Sequence, residues 1–91
     1  MSFDNLKYAV ISRLVYESDE VAQSISLYPR AVGDNHILLS VCLTKIDGFA
    51  AYIENLGFEI ETEFVEGSGK VSLLSHAQVS ELLAKYPTEE I

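Results

Sequence analysis

The sequence predicts an α+β fold, a small mixed three-stranded sheet packed by helices, and three observations carry the prediction. Residues Phe58 to Phe64 alternate between apolar or Thr positions and acidic ones, the period of a strand with one buried and one wet face. His36 to Leu43 is a short, mostly apolar run between Gly33-Asp34-Asn35 and Thr44-Lys45, as a central strand would be. Ile46 to Leu56 and the segment after Ser75 place their apolar residues at helical spacing. The expected order is helix, in one or two stretches, then strand, helix, strand, strand, helix. A second layout, β-α-β-α-β-β-α and ferredoxin-like, follows if the N-terminal segment is a strand.

In the first element, Phe3, Leu6, Val10, Leu14, Val21, Ile25 and Tyr28 lie along one helical stripe, interrupted where Glu17 falls on it. Ser2 or Asp4 would cap its start, Ser18 or Asp19 would restart it, and Tyr28, preceding Pro29, would end it. The competing strand runs from Tyr8 to Tyr16, because Val10, Ile11 and Val15 are β-branched and both ends are aromatic.

After the strand His36 to Leu43, Ile46, Phe49, Ala50, Ile53 and Leu56 recur at helical spacing in the helix Ile46 to Leu56, and Gly57 sits where a left-handed cap belongs. The strand that follows puts Phe58, Ile60, Thr62 and Phe64 on one face and Glu59, Glu61 and Glu63 on the other. This strand–helix–strand crossover should be right-handed, with parallel strands. Gly67-Ser68 suits a two-residue hairpin that would pair Phe64 with Val71 and Thr62 with Leu73. The last helix, His76 to Lys85, takes Ser75 as N-cap and buries Val79, Leu82 and Leu83, with Pro87 beyond its end.

A length of 91 residues implies one domain, and 48% apolar with 22% charged residues implies a folded one. The mean hydropathy of +0.17 is high for so small a chain, so apolar area should remain outside the core for a partner or a second copy to cover. Tyr8, Tyr16, Tyr28, Tyr52 and Tyr86 supply more amphipathic aromatic area than such a core needs. Fourteen acidic residues against six basic ones give a net charge of −8, which disfavours direct binding to nucleic acid or anionic lipid and favours a basic protein partner. Asp4 stands where a secretory signal carries positive charge, and the longest apolar run, Ile37 to Leu43, falls far short of the about 20 residues of a membrane span. Cys42 has no second cysteine to pair with, so a reducing, cytoplasmic setting is expected.

No catalytic residue can be named, and no metal or cofactor is expected. His36, Cys42 and His76 stand at no recognised ligand spacing, and Cys42 amid Leu38, Leu39, Val41 and Leu43 reads as a buried, inert thiol. A Gly-x-Ser-x-Gly elbow is missing, Gly67-Ser68-Gly69 reads as a turn, and Asp47-Gly48 lacks the rest of a calcium loop.

What remains is acidity. Glu59, Glu61 and Glu63 would project at intervals of roughly 6.6 Å, with Glu66 extending the row at the hairpin. Lys70 relieves it only partly, and Glu17, Asp19 and Glu20 form a second cluster. Exposed strand charges also serve simply to keep sheet edges from pairing. Solubility needs a net charge of about 2 to 8 with both signs mixed, and −8 stands at the top of that range with one sign dominant, so a selected acidic surface stands as the competing reading. The row's spacing is close to the roughly 6.8 Å of two phosphate steps along one DNA strand.

The function expected is therefore that of a small non-enzymatic acidic binding protein. It would act as an inhibitor or immunity-type protein whose carboxylate face meets a basic protein surface such as a nucleic-acid-binding site. Toxin-immunity proteins and phage-encoded inhibitors are comparable in composition and size, not in sequence. The alternative is a homo-oligomeric structural or regulatory domain, a homodimer for instance, that encloses a small ligand.

Overall fold

The computed structural model describes residues 6–90. Its elements are β1 (Leu6–Ser12), α1 (Arg13–Ser18), α2 (Glu20–Ile25), β2 (Leu27–Val32), β3 (His36–Cys42), α3 (Leu43–Asn55), β4 (Ile60–Glu61), β5 (Val71–Leu74), α4 (His76–Lys85) and β6 (Thr88–Glu90). One mixed sheet contains all six strands in the order β4-β5-β1-β3-β2-β6, so the expectation of three strands is corrected, as is each expected element order. Every neighbouring pair is antiparallel except β4 and β5.

β1 is central because it can be buried on both faces. Ala9 and Ile11 point to the side of α1, α2 and α3, where they meet Ile37, Leu39, Val41, Phe49 and Ile53. Val10 points to the other side, with Val32, Leu38, Leu74 and the α4 residues Val79 and Leu82. A strand covered on both faces needs successive apolar residues rather than alternation, which is what Ala9, Val10 and Ile11 provide. The helical stripe is thus corrected: Leu14 and Tyr28 are each 78% exposed and Val21 is exposed too. The strand alternative holds only as far as Ser12, after which Arg13 to Ile25 are helical apart from Asp19. Ser2, Phe3 and Asp4, read as cap and stripe, lie outside the described residues.

After Tyr28, where the helical reading would end, the chain is strand to Val32 and turn only from Gly33 to Asn35. Leu27–Val32 pairs with β3, and a register shift between Leu27 and Arg30 accommodates Pro29, which has no N–H for the ladder. Gly33, at φ +61°, opens the three-residue connection to His36.

β3 passes directly into α3, whose end is a Schellman motif. Phe58 N–H donates to Ile53 O at 3.3 Å and Gly57 N–H to Glu54 O at 3.0 Å, with Gly57 at φ +95°. β3 and β4 run in the same direction, as the crossover argument expects, but β1 and β5 lie between them.

The largest correction concerns Phe58 to Phe64. Only Ile60 and Glu61 are strand, and they pair in parallel with Val71 and Ser72, not as a hairpin. Phe58 and Ile60 pack on the α1–α3 side while Phe64 packs on the α4 side, so the chain changes faces between them. The glycine turn sits one residue early: Ser68 N–H closes on Val65 O at 3.2 Å around Glu66 and Gly67, the latter at φ +80°.

α4 spans the expected residues. Ser75 Oγ accepts from Gln78 N–H while the Gln78 side chain accepts from Ser75 N–H, a complete capping box. Leu83, expected inward, is exposed. β6 was not foreseen, and it extends the β2 edge through the register Arg30↔Glu90 and Val32↔Thr88.

Candidate functional site

Because the strand stops at Glu61, the glutamates 59, 61 and 63 form no common row. Glu61 is half-buried, and its Oε1 accepts from Ser68 Oγ at 2.9 Å and Ser72 Oγ at 3.0 Å. Ser72 is only 1% exposed, so this carboxylate satisfies a buried hydroxyl and serves the fold. Glu59 is exposed with Lys70 Nζ 3.3 Å from its Oε2. Glu17 accepts from Arg13 Nε at 2.9 Å one helical turn away. Asp19 caps α2, and Glu20 stands exposed in the first turn of that helix, where the dipole favours it.

Glu63 lines a groove instead, and Glu66 reaches one of its wall residues. The chain from Thr62 to Glu66 runs alongside α4, tied to it by Gln78 Nε2, which donates to Thr62 O at 2.7 Å. Between them lies a cavity of about 400 Å³ lined by buried Leu74 and Leu82, half-buried Phe64, Gln78 and Tyr86, and exposed Glu63, Glu81 and Lys85. Two edge-to-face contacts fix the aromatic wall, His36 on Phe64 at 5.1 Å and Phe64 on Tyr86 at 5.7 Å. The Tyr86 hydroxyl reaches Glu66 Oε2 at 3.4 Å.

An apolar wall beside two exposed carboxylates suits a long cationic side chain. Its methylene stem would lie along Leu74 and Leu82, its charge would meet Glu63 or Glu81, and the faces of Phe64 and Tyr86 add attraction for a cation. Glu81 was missed from sequence. Its only local signal is the Glu81–Lys85 spacing on one helix face, which says nothing of what lies opposite.

The other singled-out residues are dispersed. Cys42 is half-buried at the end of β3, not in the core as expected. His76 lies near Tyr8, with Nδ1 3.4 Å from the hydroxyl. Of the tyrosines expected to form an outer surface, Tyr16 is buried, Tyr8, Tyr52 and Tyr86 are half-buried, and Tyr28 alone is exposed. Among the described residues no group of three His, Cys, Asp or Glu side chains is placed to hold a metal ion, and no helix is long and apolar enough to cross a membrane.

Asp19 also joins α2 to α3. Its Oδ2 accepts from the Tyr52 hydroxyl at 2.6 Å, and its Oδ1 from Val21 N–H at 2.9 Å and Ala22 N–H at 3.1 Å. The Tyr52 bond, then the backbone donors, hold the Asp19 pKa below its ordinary 3.8 against the opposing effect of burial. The same bond raises the Tyr52 pKa above 10.0, with burial and the Asp19 charge adding to it. A lowered carboxylate pKa stabilises above the ordinary value and loses that effect as pH falls through the folded one. A raised phenol pKa stabilises below its ordinary value and loses that effect as pH rises through the folded one. The stability difference between the parent and Tyr52→Phe should therefore be greatest between about pH 4 and 10 and shrink outside that window, as thermal melts across pH would show. A difference constant with pH would mean that the bond does not form.

No family model matches the chain, and no curated protein or solved structure is significantly similar to it.

Proposed function

We propose that this chain is a small non-enzymatic binding domain, of inhibitor or immunity type, that engages a basic protein surface such as a nucleic-acid-binding site. The supporting observation is the groove between α4 and Thr62–Glu66, where Leu74, Leu82, Phe64 and Tyr86 lie beside exposed Glu63 and Glu81 on a chain of net charge −8. The long-range field attracts a basic partner and repels nucleic acid itself, and the groove gives one lysine or arginine of that partner a specific seat. Glu66 orients Tyr86 at the groove wall. Glu59, Glu17, Asp19 and Glu20 contribute charge at a distance, and Glu61 stays engaged within the fold.

Co-purification of the untagged protein from its source cell at low and high ionic strength identifies the partner. Titration of that partner with Glu63→Gln/Glu81→Gln then tests the groove without touching Glu61. The expected result is slower association, a shallower salt dependence and about fivefold weaker binding at low salt, since one partly exposed ion pair contributes up to about 1 kcal/mol. Unchanged rate and affinity would place the interface elsewhere. A partner retained at high salt would replace the charged interface by an apolar one.

A further inference from the structure

On the α4 side of the sheet, β2 and β6 reach beyond what α4 covers. Leu27, paired with Ser40, and Arg30, paired with Leu38 and Glu90, project on that side, and all of Leu27, Arg30 and Glu90 are exposed. Between Leu27 and Arg30 the register shifts, and there Tyr28 adopts φ +51°, the only positive value outside glycine among the described residues. A side chain in that region strains the backbone, and the ring it carries is 78% exposed and belongs to neither apolar cluster. The fold thus holds a large aromatic ring in water at a cost, without using it in the core. A cavity of about 240 Å³ lies beside it, lined by Tyr28, Pro29, Arg30 and Glu90.

Charge selects the occupant. Two copies of a chain of net charge −8 repel each other, so they can meet only where charge is locally balanced. The ion pairs within the described residues use Arg13 and Lys70, which leaves the Arg30 guanidinium for another partner, next to the single carboxylate of its register mate Glu90. A two-fold axis through this patch sets each Arg30 against the other copy's Glu90 and brings the two exposed Tyr28 rings together. Tyrosine and arginine are the residue types that anchor interfaces. Edge-to-edge pairing of β6 with itself is disfavoured, because it would bring the glutamates at 89 and 90 against their own copies.

We infer that Leu27, Tyr28, Arg30 and Glu90 form a self-complementary face through which two copies of this chain associate as an isologous dimer. The face shares no residue with the groove lined by Glu63 and Glu81, so the two bind independently.

Sedimentation equilibrium of the full chain over rising concentration tests this, with far-UV circular dichroism confirming that each variant is folded. The parent should dimerise and Glu63→Gln/Glu81→Gln should dimerise equally. Tyr28→Gly removes the ring while relieving the backbone, so it should melt within about 4 °C of the parent and sediment as a monomer. Arg30→Glu alone and Glu90→Arg alone should each be monomeric, since each sets like charges across the axis. Mixed in equal amounts, these two variants should recover the dimer, because one then presents only carboxylates and the other only guanidinium groups. No repair inside a single chain can produce that recovery. A parent monomeric up to about 1 mM, a Tyr28→Gly variant that still dimerises, or a mixture that stays monomeric would each overturn the inference.

Discussion

Replacing Phe49 by Ala is expected to destabilise the protein by about 3 to 5 kcal/mol, the cost of deleting a fully enclosed aromatic ring and leaving a cavity. Phe49 is 0% exposed, and with Ile53 it forms the inward stripe of α3 against Ala9, Ile11, Ile37 and Leu39 on the sheet. The sheet backbone beneath, tied into the ladder of β3, β1 and β5, cannot shift to fill the space. A domain of this size has about 5 to 15 kcal/mol in total, so the loss is a large share of it. Urea denaturation followed by circular dichroism should show a much lower midpoint with an unchanged slope. Leu56→Ala, at an exposed position of the same region, should stay within about 0.5 kcal/mol. Equal effects for the two would mean that α3 does not pack on the sheet as described.

The second large effect separates the observed N-terminal strand from a helix. Val10, 2% exposed, lies between Leu38 of β3 and Ser72 of β5, whereas Leu14 lies out in solvent on α1. Val10→Asp places an unpaired carboxylate between two strands and should cost at least about 3 kcal/mol, enough to leave much of the chain unfolded. Leu14→Asp should change stability by no more than about 0.5 kcal/mol. Both residues share one stripe of the helical reading, which demands comparable losses. Thermal melts of the two variants distinguish the folds directly.

These two substitutions also show where local pattern stops being informative. β3, α3 and α4 are legible in the sequence because their signals are local: an apolar run between turn-formers, Ile46, Phe49 and Ile53 at helical spacing ahead of Gly57, and Ser75 with Gln78 at the cap. β1 is not, since Ala9, Val10 and Ile11 are buried by different layers and a run covered on both sides carries neither period. β2 is hidden by Pro29, whose missing N–H is tolerated only because the register shifts there. Glu89 and Glu90 have poor strand propensity, and Thr88 to Glu90 become β6 through pairing with β2. The strongest alternation, Phe58 to Phe64, misleads because its aromatic ends pack on opposite faces, which no repeat of two can express. For the groove, Glu63 and Glu66 stand out by charge alone, but Glu81 becomes part of it only when Gln78 ties α4 to Thr62.

The position of β1 also governs how the chain reaches this structure. Its neighbours are β3 and β5, so Tyr8 cannot meet Leu74 until most of the polypeptide exists. During synthesis, β1, β2 and β3 can form an antiparallel sheet early, but β1 then presents an open flank of backbone donors and acceptors. The Val10 side of that sheet also stays wet until α4 arrives. Loop closure over such separations is what slows the folding of sheet proteins, so the slow step expected here is one of chain return, in which β5 pairs with β1 and α4 and β6 follow. A nascent chain stalled before Val71 would therefore be a ready target for chaperones that hold exposed apolar strands.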